Sequence, residues 1–88
     1  MMNSDWVTLL NERMEALKIN SGAELARRMT EAGHPVTRAA TCSWLKSGGH
    51  IVPNAQNYTK LASVLDFNPL DPQFLRAKAE REQKREAA

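Results

Sequence analysis

Ser21-Gly22-Ala23-Glu24-Leu25-Ala26-Arg27-Arg28-Met29-Thr30-Glu31-Ala32-Gly33-His34-Pro35-Val36-Thr37-Arg38-Ala39-Ala40-Thr41-Cys42-Ser43-Trp44-Leu45-Lys46-Ser47-Gly48 is the stretch that decides how this chain folds. It reads as a capped helix, a turn and a second capped helix. Ser21 three residues before Glu24 is a capping box, in which the hydroxyl takes an orphan amide and the carboxylate reaches back. Leu25, Ala26 and Met29 follow at helical spacing. The first helix is expected from Gly22 to about Ala32, because Gly33 enters the left-handed region without steric cost. His34 precedes Pro35, which pushes it out of the helical region. Thr37 caps the second helix, expected to run to about Ser47 and to stop at Gly48-Gly49.

On the N-terminal side, Trp6, Leu10, Met14 and Leu17 recur at intervals of four and three, with Val7 and Leu9 widening the stripe. This predicts a helix over residues 5–18 capped by Ser4, with Glu12, Arg13 and Glu15 facing water. On the C-terminal side, Asn54 caps a helix in which Tyr58, Leu61, Ala62 and Leu65 form the apolar stripe. Asn68-Pro69 or Asp71-Pro72 opens a fifth helix, each being a cap followed by proline. Leu70, Phe74 and Leu75 are its apolar residues. From Arg76 onward the residues are almost all charged, Gln or Ala, with Arg76–Glu80 and Glu80–Lys84 at ion-pair spacing. Residues 76–88 are therefore expected as a solvated helical extension or frayed tail on a domain of residues 1–75. The fold expected is all-α, a bundle of about five short helices.

The 88 residues suit one domain with a small core. One cysteine, Cys42, forms no internal disulfide, and no long apolar run or signal-peptide pattern occurs, which leads to the expectation of a cytoplasmic protein without a membrane span. Formal net charge is +2, but it is unevenly spread. Residues 1–24 hold Asp5, Glu12, Glu15 and Glu24 against Arg13 and Lys18, a balance of −2. Residues 25–60 hold Arg27, Arg28, Arg38, Lys46 and Lys60 against Glu31, a balance of +4, and the remainder is neutral. The positive surplus thus falls on the two central helices and the segment after them, where a phosphate backbone would lie.

At about 100° per residue, Thr41, Trp44 and Leu45 share one side of the second central helix. Ala39, Cys42, Ser43 and Lys46 share the other, with Arg38 at the edge. The first side is a core face. The second is small, polar or basic, whereas an ordinary solvated face favours Glu, Lys and Gln. Small side chains let a helix enter a major groove, which is about 12 Å wide. The base-reading candidates are Arg38, for a guanine edge, Ala39, for a thymine methyl, Ser43, and Cys42 on or beside the same face. Cys42 also reads as a simple space-filling residue. Phosphate-contact candidates are Ser21 and Thr37 at helix N-termini, Arg27 and Arg28 off the apolar stripe, and Lys46. His34 and His50 stand alone in loops, so no metal site is expected. No carboxylate pair, Cys–His arrangement or phosphate loop is present, so neither catalytic residues nor a cofactor nor a small-molecule substrate is expected.

Ser21-x-x-x-Leu25-Ala26, Gly33, Val36-Thr37, Trp44, Gly48 and then Pro53 to Leu65 resemble, in order and spacing, the lambda repressor-like helix-turn-helix family of phage repressors and Cro-type proteins. The resemblance covers roughly residues 19–75. It departs at Gly22, where the family usually has Gln, in the longer turn from Thr30 to Pro35, and at Gly48, one residue later than usual. It implies sequence-specific binding of double-stranded DNA by a small transcriptional repressor, a homodimer on a palindromic operator, of the kind found as phage or plasmid regulators. It also implies phosphate contacts from Asn54 and Asn57 and from the amides of residues 47–53. The alternative is an antitoxin-like or other interaction module whose main partner is a protein. An exposed apolar patch at Phe67, Leu70, Phe74 and Leu75 would favour it.

Overall fold

Four helices begin where a side chain takes an amide of the first turn. Asp5 accepts from the Thr8 amide at 2.8 Å and opens α1, Trp6–Ala16. Ser21 accepts from Glu24 at 3.1 Å and opens α2, Gly22–Glu31. Thr37 accepts from Ala40 at 3.0 Å and opens α3, Arg38–Leu45. Asn54 accepts from Asn57 at 2.8 Å and opens α4, Ala55–Leu65. The fifth helix, α5, Pro72–Ala87, starts on proline, and Asp71 accepts from the Gln73 amide at 2.9 Å. This computed structural model describes residues 5–87, with side chains through residue 83. Among the described residues the architecture is all-α, with no strand.

Several expectations are corrected. Asp5 lies outside α1 as its cap, because its carboxylate sits three residues before the amide it satisfies. Ser4, expected in that role, lies outside the described residues. The capping box at Ser21 is half made: the hydroxyl caps, but Glu24 turns to Arg27 and Arg28 instead of reaching back. Arg13 does not simply face water; its Nε donates to the Leu65 carbonyl at 3.0 Å, at the end of α4. Asn68 opens no helix. It accepts from the Leu70 amide at 2.9 Å in a turn, and the helix waits for Asp71-Pro72.

Three helices end by one device, in which a residue in the left-handed region lets its own amide and the next turn back on the last carbonyls. After α2 this residue is Gly33, at φ 90°, with the Gly33 amide on Thr30 and the His34 amide on Met29. After α1 it is Lys18, at φ 61°, with Ile19 donating to Met14 at 2.8 Å. After α4 it is Asp66, at φ 58°, with Phe67 donating to Ala62 at 3.0 Å. Ile19 and Met14 are both buried, so the turn after α1 is also an apolar clasp.

The core is the meeting of the predicted stripes. Trp6, Leu10 and Met14 from α1 pack with Leu25 and Met29 from α2, Trp44 from α3, and Tyr58, Leu61 and Leu65 from α4. Helix α1 is the hub, packing against α3, α4 and α5, while α2 and α3 form the most extensive pair. Phe67 stacks on Phe74 at 3.8 Å between ring centres and carries α5 onto the aromatic group of Trp6 and Tyr58. Tyr58 donates to the Pro69 carbonyl at 2.7 Å, and its burial raises its pKa.

The reading of residues 76–88 as solvated is corrected in part. Helix α5 runs unbroken across residue 75, and its buried positions are Phe74, Ala77 and Arg81. Arg81 is only 4% exposed. Its Nε donates to Ile51 at 2.6 Å, Nη1 to Lys46 at 3.0 Å and Nη2 to Ser43 at 2.9 Å, all backbone carbonyls. On this helix Lys78 pairs with Glu82 at 3.1 Å; the Glu80–Lys84 pair lies outside the described side chains. In the loop before α4, Pro53 is fully buried, Val52 half-buried and Ile51 exposed.

A left-handed conformation costs an L-residue roughly 1–2 kcal/mol, and glycine returns part of that as lost chain entropy, about 0.5–1 kcal/mol. Lys18→Gly is therefore expected to stabilise the fold by about 0.5–1 kcal/mol, read as a higher urea midpoint with unchanged slope. A lower midpoint would mean that the lysine side chain, not the backbone, decides this turn.

Candidate nucleic-acid interface

The sequence partition of α3 is recovered in its burial. Thr41 and Trp44 are buried, Leu45 is half-buried, and Arg38, Ala39 and Cys42 are exposed. Thr41 explains how a hydroxyl sits in the core: it donates to the Gly22 carbonyl at 2.6 Å, with the Arg38 carbonyl at 3.0 Å as a second acceptor. Ser43 departs from expectation. It is half-buried, and its hydroxyl donates to the Ala40 carbonyl at 2.6 Å, which engages its only proton within the helix.

Helix α3 stops at Leu45, two residues before the expected end, because Lys46 is extended at ψ 121°. Its last carbonyls are satisfied from a distance. The Trp6 indole donates to Trp44 at 3.0 Å, and Arg81 takes Ser43 and Lys46. The loop then turns through Gly48, at φ 77°, with the Gly49 amide on the Lys46 carbonyl at 3.1 Å. Lys46 is thus exposed at the first position past the helix, not on its face.

Helices α2 and α3 approach closely at Gly22. A Cβ there would stand 2.7 Å from the Cys42 Sγ and 3.3 Å from the Cys42 Cα and amide nitrogen. The thiol would have to swing away, and the α3 backbone at Cys42 would have to give by a few tenths of an ångström. The space a side chain would take at Gly22 is occupied by Cys42. Ala26 is buried one turn further along α2.

The basic candidates divide into two groups. Arg27 is bound to Glu24 and, at 2.8 Å, to Glu31, while Arg28 donates to Glu24 at 2.9 Å. Hydrogen bonds from Arg27 and then Arg28 hold the Glu24 carboxyl below its usual pKa, and Glu24 raises that of Arg27. Two arginines and two glutamates cancel, so the α2 surface contributes little net charge. The Arg38 and Lys46 side chains have no hydrogen-bond or ion-pair partner among the described residues. Ser21, Thr37 and Asn54 use a side-chain oxygen to cap, which leaves Asn54 its exposed amide group; Asn57 is half-buried. The exposed surface of α3 is convex helix rather than cavity. A groove of about 510 Å³ lies elsewhere, between His50–Ala55 and Lys78, Glu82 and Gln83.

Among the described residues no group of three or more His, Cys, Asp or Glu is placed to hold a metal ion, and no helix is long and apolar enough to cross a membrane. The residues that sequence reasoning missed are Arg81 and the Gly22–Cys42 contact. Arg81 follows Phe74 and Ala77 at helical spacing, a signal that its charge conceals.

A depressed carboxyl pKa stabilises the fold above the unfolded value, and that contribution is lost as pH falls through the folded one. Glu24→Gln is therefore expected to lower the melting temperature at neutral pH and low salt. The gap should narrow in high salt and close in acid. A gap independent of pH would assign the loss to packing instead of charge. Comparison of the chain with family models, with curated protein sequences and with solved structures gives no match.

Proposed function

We propose that this protein binds double-stranded DNA sequence-specifically through α2, the turn and α3 acting as a helix-turn-helix, in a lambda repressor-like fold, as a small transcriptional repressor. The observation that carries the reading is the exposed face of α3. Arg38, Ala39 and Cys42 are all exposed on this face, with unpaired Arg38 beside two small side chains. Such a face suits close approach to base edges in the major groove. Arg38 is the guanine-reading residue, Ala39 the thymine-methyl contact and Cys42 a close-packing neighbour of the bases. Ser43 has a lesser part, because its hydroxyl is engaged. Thr37 and Lys46 at the two ends of α3, with the Asn54 end of α4, hold phosphates. Arg27 and Arg28 reach phosphates only by giving up Glu24 and Glu31.

A homodimer would place two α3 helices in successive major grooves, about 34 Å apart. The protein-interaction reading keeps one specific observation in its favour: Leu70 is 74% and Leu75 42% exposed. Phe74 is buried and Phe67 half-buried beneath its stack, so the apolar patch is smaller than expected. The same leucines would serve a dimer.

The test is selection from a pool of short randomised duplexes, followed by titration of the enriched duplex and a scrambled one at two salt concentrations. Enrichment with steep salt dependence supports the reading; no binding at low salt overturns it. Arg38→Ala is expected to remove roughly 1–3 kcal/mol of preference for the enriched duplex. Lys46→Ala is expected to weaken both duplexes alike and to reduce the salt slope by about 1.

A further inference from the structure

We propose that Arg81 is a positioning residue for the α3 face: its guanidinium, seated over Gly49, clamps the end of α3 to the loop that leads into α4. The inference rests on the DNA reading for its functional consequence, but not for its geometry. Three of the five N–H donors of Arg81 reach carbonyls of Ser43, Lys46 and Ile51, which span the last turn of α3 and the following loop. Only a planar fork with several fixed donors can serve all three; an ammonium on a flexible stem cannot. The clamp acts where carbonyls at a helix C-terminus carry partial negative charge, so the cation replaces the missing C-terminal cap of α3.

Gly49 gives independent support. A Cβ at that position would stand 3.1 Å from the Arg81 Nη2 and 3.2 Å from the Lys46 carbonyl oxygen. The loop therefore lies close against the guanidinium, and a side chain there would press on both by a few tenths of an ångström. The hydrogen-bond partners of Arg81 are these three backbone carbonyls; burial lowers its pKa, and the charge of Asp5 opposes that shift. Beyond Ala77, Arg81 is also the only buried side chain of α5 among those described. The far half of α5 and the recognition surface of α3 are thereby held by the same group. Arg81 is too buried to meet DNA itself.

The test compares Arg81→Gln, Arg81→Lys and Gly49→Ala with the parent chain, at a temperature where circular dichroism shows every variant folded. Leu61→Ala, which removes a buried core side chain remote from the clamp, is the control for lost stability alone. Amide hydrogen exchange is the first readout. The Gly49 amide and its neighbours in the loop are expected to exchange about tenfold faster or more in the three clamp variants, while α1 and α2 amides hold. Exchange no faster than in the control overturns the proposal, whatever DNA does.

Affinity for the duplex enriched by the parent chain is the second readout. It is expected to fall roughly tenfold with an unchanged salt slope, since support is lost and no phosphate contact is lost. Failure of Arg81→Lys to rescue it supports the fork geometry. A reduced salt slope would make Arg81 a phosphate contact and overturn the positioning role; so would unchanged affinity despite a loosened loop. If the parent chain enriches no duplex, the DNA reading fails and this functional role falls with it, while faster loop exchange would still establish the clamp as structural.

Discussion

The carbonyl end of α3 is the constraint on which the rest of the molecule depends. A helix of eight residues leaves almost as many orphan carbonyls as it makes internal bonds, and this one lacks the left-handed turn that closes α1, α2 and α4. The carbonyls are met by Trp6 from the first helix and Arg81 from the last. An indole N–H supplies a neutral donor within the core, and a guanidinium supplies several donors and a charge at the core's edge. The shortest helix, which carries the candidate reading face, is thus secured by the two helices furthest from it in sequence.

The middle of α3 is fixed by shape. Gly22 lets α2 come close enough for the Cys42 thiol to fill the space a side chain would take, and the Thr41 hydroxyl closes on the Gly22 carbonyl. A helix packed this tightly at its middle and clamped at its carbonyl end presents its outer residues in a set orientation. That is what close reading of a groove requires, because misplacement by a fraction of a bond length weakens a bidentate contact.

Much of this framework is legible in the sequence because caps and apolar spacing are local. Ser21, Thr37 and Asn54 cap where their pattern says, and Trp6, Leu10, Met14, Leu25, Met29, Tyr58, Leu61 and Leu65 are buried as their stripes require. What stays hidden is long-range. The end of α3 is misplaced because Gly48 is a visible stop signal while Arg81 and Trp6, which make an earlier end tolerable, lie far away in the chain. Arg81 itself looks like one charge among many; only the carbonyls gathered around it make its burial favourable. Arg27 and Arg28 look available until Glu24 abandons its cap to bind them. On α3 the division of faces is readable from the angle alone, but the engagement of the Ser43 hydroxyl is not. Its partner is a backbone carbonyl that carries no sequence signature.

The two long-range donors also divide the chain. Trp6 to Trp44 and Ser43 to Arg81 each close a separation of 38 residues, so the chain forms two adjoining loops of equal span, pinched together at the end of α3. Loop-closure entropy depends on span, so neither closure is favoured over the other by chain length. During synthesis they are not equivalent. The first loop can close once Leu45 has emerged, and the second must wait for α5. The donor from α1 precedes α3 in the chain and the donor from α5 follows it, so the carbonyl end of α3 is held in full only once α5 is in place.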